Sequence, residues 1–171
     1  MQKGAVTMWK YTATNAYPSI SLHDCRSNDI QIDGRDLIIN FPDGFWITPV
    51  SSYIDHDRPL KTGPAQLCIR GFLENFEFDS IDVYKTTHIF GKPVLCRRLQ
   101  PEDSAFLKLF QKGKHELEFI TEYHKGNMPI LSLYQCMIWY KKFRKWYECQ
   151  FEMTVESMEY RWNEILQDRE W

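Results

Sequence analysis

The C-terminal third of the chain contains a run in which apolar and polar residues alternate almost without interruption. From Tyr147 to Val155 the odd positions are apolar, and from Glu148 to Glu156 the even positions are polar. Successive side chains of a β-strand leave opposite faces of its sheet, so this period of two predicts a strand with one buried and one solvated face. Such strands are typical of antiparallel sheets that pack on one side only.

Two Asp-Gly pairs predict hairpin turns nearer the N-terminus. The pairs at residues 33–34 and 43–44 each separate short alternating apolar runs. Both residue types tolerate the positive φ that tight hairpin turns require. We therefore predict a meander of three strands from Asn28 to Thr48. The next segment, residues 49–64, is rich in Pro, Ser, Gly and charge without periodicity, so we expect a long loop there.

Further strands are predicted in the middle of the chain. Alternating apolar residues indicate strands between residues 66 and 89, a short strand at residues 96–99, and another at residues 117–123. In the last of these, apolar residues alternate with glutamates. The run Ile130–Tyr140 is apolar at both odd and even positions, which predicts a central strand covered on both sides.

Two segments have helical features. Residues 101–112 begin with Pro and two acidic residues, carry apolar side chains on one stripe, and are followed by Gly113, which together predict a helix. Residues 158–168 have apolar side chains at helical spacing after a serine that could cap the first turn. We expect a second helix there, although the alternation from Met158 to Trp162 also fits a strand.

These elements predict a mainly β, antiparallel fold, closed as a barrel or folded as a sandwich, with one or two helices. We expect a single domain over residues 1–171, because 43% of the residues are hydrophobic and 15% aromatic, enough for a full core. The 21 basic and 23 acidic residues leave a formal net charge of −2, which provides no general attraction to nucleic acid. The longest apolar run is too short to cross a bilayer as a helix, so we expect no membrane partner.

Cysteine content and the start of the chain predict a reducing compartment. The five cysteines are odd in number and lie within apolar runs. The first 20 residues contain no continuous apolar stretch of signal-peptide length. We therefore expect a cytoplasmic protein with reduced thiols.

Sequence motifs for common catalytic sites are missing. The chain has no Gly-rich phosphate loop, no His-Glu-x-x-His, no Gly-x-Ser-x-Gly and no Cys-x-x-Cys. We therefore expect no cofactor and no metal and favour a role without catalysis. Catalysis stays open, because β-barrel enzymes often assemble their sites from scattered strand residues. Two polar groups are nevertheless candidates: His23 with Cys25 could ligate a metal or form a reactive thiolate, and Asp55, His56 and Asp57 could hold a metal or act as acid and base. In both groups a purely structural role has the greater weight.

Two charged clusters are candidate binding surfaces. The basic cluster, residues 141–145, is flanked by aromatic residues and could hold single-stranded nucleic acid. Exposed lysines also occur at ordinary hairpin ends, and the net charge argues against nucleic acid as the partner. The acidic segment, which also contains aromatic residues, comprises Glu74, Phe76, Glu77, Asp79 and Asp82.

Two functional hypotheses follow from these features. The leading one is a small intracellular binding module without catalytic activity, which uses the acidic segment to engage a protein with a basic surface. The competing one is a barrel or sandwich that holds a small apolar molecule or carries out acid–base chemistry inside an aromatic-lined cavity. A deep pocket containing a histidine or carboxylate would favour the second hypothesis, and a filled core would favour the first.

Overall fold

The computed structural model describes residues 8–72, 78–111, 113, 115–126, 129–140, 142 and 145–170. Of these, residues 168–170 are described as backbone only. Within these residues all strand pairs are antiparallel. The helix, α1, spans Asp103–Phe110. The strands are β1 (Tyr11–Thr14), β2 (Ile20–Ser21), β3 (Cys25–Ser27), β4 (Asp29–Asp33), β5 (Asp36–Phe41), β6 (Trp46–Ile47), β7 (Leu60–Thr62), β8 (Ala65–Arg70), β9 (Ser80–Ile89), β10 (Lys92–Leu99), β11 (His115–Lys125), β12 (Ile130–Tyr140), β13 (Lys145–Val155), β14 (Ser157–Trp162) and β15 (Ile165–Glu170).

The described strands form three sheets. A five-stranded sheet has the order β1-β14-β8-β5-β4, and a six-stranded sheet has the order β10-β9-β13-β12-β11-β3. A small sheet, β15-β7-β6-β2, stands beside them. The sheets pack as a sandwich and do not close into a barrel, so the predicted mainly β, antiparallel class is confirmed. Among the described residues, no helix has the length and apolar character needed to cross a bilayer.

Aromatic side chains fill the space between the two large sheets. Phe41 of β5 contacts Phe119 of β11, with ring centroids 5.5 Å apart. Phe119 contacts Tyr134 at 5.5 Å, and Tyr134 stacks on Phe151 at 5.0 Å. All four rings are buried. Full burial of one such side chain stabilises the folded state by about 1.5–3 kcal/mol, so this layer is a main source of stability.

The segments with the clearest periodicity fold as predicted. β13 buries alternate residues from Cys149 to Val155, and the even positions between them are partly exposed. α1 lies inside the predicted range 101–112 and buries Phe106 and Phe110. It packs against β4 and β11.

The predicted three-stranded meander is wrong for its third strand. β4 and β5 form the expected hairpin, but β6 pairs with β2 and β7 in the small sheet. The change of sheet occurs at Gly44, which has a φ of 71°, and a Cβ atom there would lie 2.3 Å from the carbonyl oxygen of Thr62. The chain therefore passes too close to β7 for any residue but glycine. β7 itself lies inside residues 49–64, where the sequence predicted only a loop.

The predicted second helix, residues 158–168, is also wrong, because this segment forms strands β14 and β15. Met158, Tyr160 and Trp162 are buried with a period of two. β14 lies between β1 and β8, which supply hydrogen-bond partners on both of its edges. The apparent helical spacing arises because two short strands follow each other with only a brief turn between them.

Two further strands depart from their predicted exposure. β12 buries its even positions from Ile130 to Ile138, whereas its odd positions are partly exposed, so it is covered on one face only. In β11 a bulge between Phe119 and Thr121 shifts the register by one residue. The shift buries Glu122 and leaves Tyr123 56% exposed, the reverse of the predicted alternation.

Candidate functional site

His23 and Cys25 lie near each other, but their side chains have different partners. The His23 Nδ1–H donates to the carbonyl oxygen of Ile120, and Nε2 lies 3.5 Å from Asp24 Oδ2. The Cys25 side chain is buried, and its Sγ lies 3.2 Å from Nζ of Lys61. The structure therefore does not join this imidazole and this thiol into one site.

The surroundings of Cys25 keep its thiol protonated. Burial is the main effect, and it outweighs the attraction of the Lys61 ammonium group and raises the pKa of Cys25 to about 11. Lys61 is itself buried, and its Nζ lies 4.3 Å from the ring centroid of Trp46, which provides a cation–π contact. A thiol with so high a pKa is a poor nucleophile and a poor metal ligand at neutral pH.

The second predicted polar group lies in the loop that precedes β7. His56 Nδ1 accepts a hydrogen bond from the backbone N–H of Arg58 at 3.2 Å and lies 3.7 Å from Asp57 Oδ1. The side chain of Asp57 is 90% exposed, and Asp55 is also exposed. In the described part of the chain, no three histidine, cysteine, aspartate or glutamate side chains form a group that could hold a metal ion.

The acidic segment is described only in part. Glu74, Phe76 and Glu77 lie outside the described residues. Asp79 precedes β9, and its Oδ2 accepts a hydrogen bond from the Thr154 hydroxyl group at 2.7 Å.

Asp82, the last member of the acidic segment, is paired with a cation. The Nε and Nη2 groups of Arg98 each donate to one of its carboxylate oxygens at 2.7 Å. This bidentate contact with Arg98 is the main reason that the pKa of Asp82 is lowered. Asp82 is only 5% exposed, so most of its charge is compensated within the protein.

A buried polar chain that the sequence analysis missed runs through the interior. Glu122 Oε1 accepts a hydrogen bond from the backbone N–H of Leu22 at 2.8 Å, and its Oε2 lies 3.2 Å from His124 Nε2. On the other side of the ring, His124 Nδ1 lies 2.9 Å from Ser132 Oγ. This order of carboxylate, imidazole and hydroxyl resembles that of nucleophilic hydrolases.

The buried polar chain is nevertheless closed to substrates. Ser132 has no exposed surface, and its hydroxyl group lies 3.7 Å from the sulfur of Met158. A nucleophile must reach the reacting atom directly, so this arrangement satisfies buried polar groups and does not form a catalytic centre. The sequence signal for the buried polar chain is that Glu122 and His124 both occupy even positions and so share a face of β11. Only the bulge in β11 turns that face inwards.

An open site lies where the six-stranded sheet splits into two hairpins. β9 pairs with β13 only as far as Tyr84, which lies opposite Glu148. Beyond this pair β9 continues beside β10, and β13 runs beside β12. Residues 85–89 and 145–147 therefore do not pair with each other. A groove of about 820 Å³ opens between them, and we call it the fork groove; it is lined by residues 84–88, Arg97 and residues 145–148.

The lining of the fork groove is positive and aromatic. Lys85, Arg97 and Lys145 contribute three positive charges, and Glu148 is the one carboxylate in the described lining. Aromatic side chains lie between these charges. Lys85 Nζ is 5.2 Å from the ring centroid of Tyr147.

Two of these cations face each other directly. Lys85 of β9 and Arg97 of β10 are cross-strand partners and so share a face of the hairpin. Neither forms an ion pair with a carboxylate among the described residues. Like charges in this position repel each other, and the contact of Lys85 with the Tyr147 ring supplies no negative charge to pair with them.

The sequence analysis identified part of this site, the basic cluster at residues 141–145, as a candidate. Lys141 and Arg144 of that cluster lie outside the described residues, whereas Lys145 lines the groove. Lys85 and Arg97 carry no sequence signal, because their importance depends on where β9 and β13 stop pairing.

Comparisons with known proteins add no functional assignment. No protein-family model, curated protein or solved structure matches the chain. The chemistry of the fork groove is therefore the basis on which a function can be assigned.

Proposed function

We propose that the protein is a non-enzymatic binding module that recognises a protein segment rich in carboxylates in its fork groove. The observation that carries this proposal is the charge of the groove. Among the described residues, three cations and one carboxylate line this open surface, although the chain as a whole has a formal charge of −2. A local excess of positive charge in a negative protein favours an anionic partner at this place.

The packing of the interior supports a binding surface over an enclosed ligand site. The rings of Phe119, Tyr134 and Phe151 occupy the space between the large sheets at centroid distances of 5.0–6.3 Å. A small apolar molecule would have to displace these side chains. The aromatic side chains of the interior are used here for close packing.

The pairing of Asp82 with Arg98 favours the fork groove over the acidic segment as the recognition surface. A basic partner would have to compete with Arg98, which already holds Asp82 through two hydrogen bonds. In the fork groove, by contrast, the charges of Arg97 and Lys145 have no such partner among the described residues.

Selection from a random peptide library tests the proposal. Peptides of about nine residues, which span about 30 Å when extended, are displayed and selected on the purified chain. We expect the enriched peptides to contain an excess of Asp and Glu. Binding should weaken by about ten-fold or more in the R97E/K145E double variant, since each substitution replaces attraction by repulsion.

Lys92→Glu is the matched control, because Lys92 lies on β10 near the tip of the same hairpin but does not line the groove. It should bind the selected peptides nearly as well as the wild-type protein. Enrichment of peptides without acidic excess would overturn the proposal, as would equal binding by R97E/K145E. Preference for an oligothymidylate over every selected peptide would make the groove a nucleic-acid site instead.

A further inference from the structure

We infer that the partner binds in the fork groove as an added β-strand along residues 85–89 of β9. The inference rests on the proposed function and specifies how the acidic segment is held. The backbone of the partner would pair with the backbone of β9, and its side chains would meet the cations of the groove.

The edge of β9 that faces the groove is available for pairing. β9 pairs with β10 along its other edge as far as Ile89, but its pairing with β13 ends at Tyr84. No described strand lies beside residues 85–89 on the groove side. Backbone N–H and C=O groups of alternate residues point to that side, and a strand of about five residues, or roughly 17 Å, could pair with them.

The two outer edges of the β9–β10 hairpin differ in how they resist pairing. β10, which ends the six-stranded sheet, contains Pro93 and a register shift between Pro93 and Leu95. Proline and bulges are common means of preventing a sheet edge from pairing with other chains. Residues 85–89 contain neither, and their two threonines favour a strand conformation. The edge that carries proline and a bulge faces away from the groove, whereas the edge that lacks both faces into it.

The charges specify the side chains of the added strand. Lys85 and Arg97 share one face of the hairpin, so a strand beside β9 would place every second side chain on that same face. A carboxylate there would compensate both members of the repelling pair. The partner should therefore carry Asp or Glu at alternate positions.

A tethered peptide tests this binding mode without a known natural partner. Cys96 is exposed and lies opposite Thr86 on the neighbouring strand β10, so its thiol provides an attachment point one strand away from the edge, within reach of a flexible linker. A peptide of about nine residues with alternating Glu and Thr is attached through a flexible Gly/Ser linker, which raises its effective concentration to the millimolar range. Amide hydrogen exchange is then measured by NMR on the full chain.

We expect exchange to slow by about ten-fold or more at alternate amides of residues 85–89, because the N–H group of every second residue would donate a hydrogen bond to the added strand. A tethered peptide with alternating Lys and Thr is the charge control and should give no protection. Two N-methylated forms of the acidic peptide provide the second control. One is methylated at the odd-numbered backbone nitrogens and the other at the even-numbered ones. One form should lose protection and the other should keep it, because only alternate N–H groups face β9.

Absence of protection at residues 85–89 with the acidic peptide would overturn the inference, as would equal behaviour of the two N-methylated forms. The result also separates the two proposals. Binding of selected peptides that depends on Arg97 and Lys145 but leaves the edge unprotected would support the binding module and exclude strand addition. Protection of the edge by the acidic and the lysine peptides alike would support strand addition and overturn the requirement for an acidic partner.

Discussion

Single residues of the same type have very different chemistry in this protein, and the thiols show it most clearly. Burial is the main effect that raises the pKa of Cys25 and Cys68 to about 11 and that of Cys149 to about 12. Cys136 lies opposite Cys149 on β12, and burial raises its pKa as well. Cys96 on β10 is exposed. Accessibility therefore favours Cys96 as the reactive thiol.

We predict that iodoacetamide at pH 7.5 modifies Cys96 in the native protein much faster than the other thiols. The four buried cysteines should react only through opening of the fold, since they are protected from the reagent and remain protonated. Mass spectrometry of peptides after timed labelling measures the individual rates. Labelling in denaturant, where all five cysteines should react, is the control. Fast native labelling at any cysteine other than Cys96 would contradict the structure.

At the scale of elements, the sequence predicts a strand well where one regular period runs along its whole length. β13 buries every second residue from Cys149 to Val155, so its buried face was predicted correctly there, although Tyr147 is only partly buried. β11 does not keep one period, because the bulge after Phe119 exchanges its two faces. A bulge of this kind depends on the neighbouring strands, so the pattern of β11 alone could not place Glu122 inside and Tyr123 outside.

Substitutions on the two faces of β13 test its assignment. Phe151 contacts the rings of Phe78, Phe106 and Tyr134, so Phe151→Ala should lower the free energy of unfolding by about 3–5 kcal/mol. Glu152→Ala on the opposite face should change it by less than about 0.5 kcal/mol. Urea denaturation of both variants measures the difference. Equal losses of stability would show that the faces are assigned wrongly.

For the molecule as a whole, an ionic network links strands of the five-stranded sheet. Asp36 of β5 pairs with Arg70 of β8, and Glu159 of β14 pairs with Arg70 and Arg161. Burial alone would raise the pKa of Asp36, but the backbone N–H of Gly71 and the Arg70 guanidinium group outweigh it and lower the pKa. Burial is likewise outweighed at Glu159, where Arg161 and Arg70 lower the pKa. Both carboxylates thus lose protons more readily in the folded state.

This network predicts loss of stability in acid. A carboxylate with a lowered pKa in the folded state stabilises the fold above its ordinary pKa of about 4 and loses that contribution as the pH falls through the folded value. The free energy of unfolding should therefore decrease between about pH 5 and pH 2. In the D36N/E159Q variant the decrease should be smaller. Urea denaturation across this pH range measures it.

Asp43→Asn is the control for the acid experiment, since Asp43 is an exposed turn residue outside the network. It should keep the pH dependence of the wild-type protein. If D36N/E159Q also kept that dependence, the network would not be the source of acid sensitivity.

The candidate site was less predictable than the fold. Composition and periodicity indicated an antiparallel β protein, and the aromatic, basic character of residues 141–145 pointed towards one wall of the fork groove. The opposite wall, with Lys85 and Arg97, depends on the register between β9 and β10 and on the end of pairing at Tyr84. These are relations between distant segments, and no local pattern records them.

The facing cations of the β9–β10 hairpin imply a conflict between stability and recognition. Arg97→Thr removes the repulsion with Lys85, so we predict that it raises the stability of the free protein by about 0.2–1 kcal/mol while weakening peptide binding. Lys92→Thr is the control for strand propensity, because Lys92 lies opposite the uncharged Ile89. Thermal unfolding measures the stability, and peptide titration measures the affinity. If Arg97→Thr raised both or lowered both, stability and recognition would not be in conflict. Selection for stability alone would therefore remove a charge on which the proposed recognition depends.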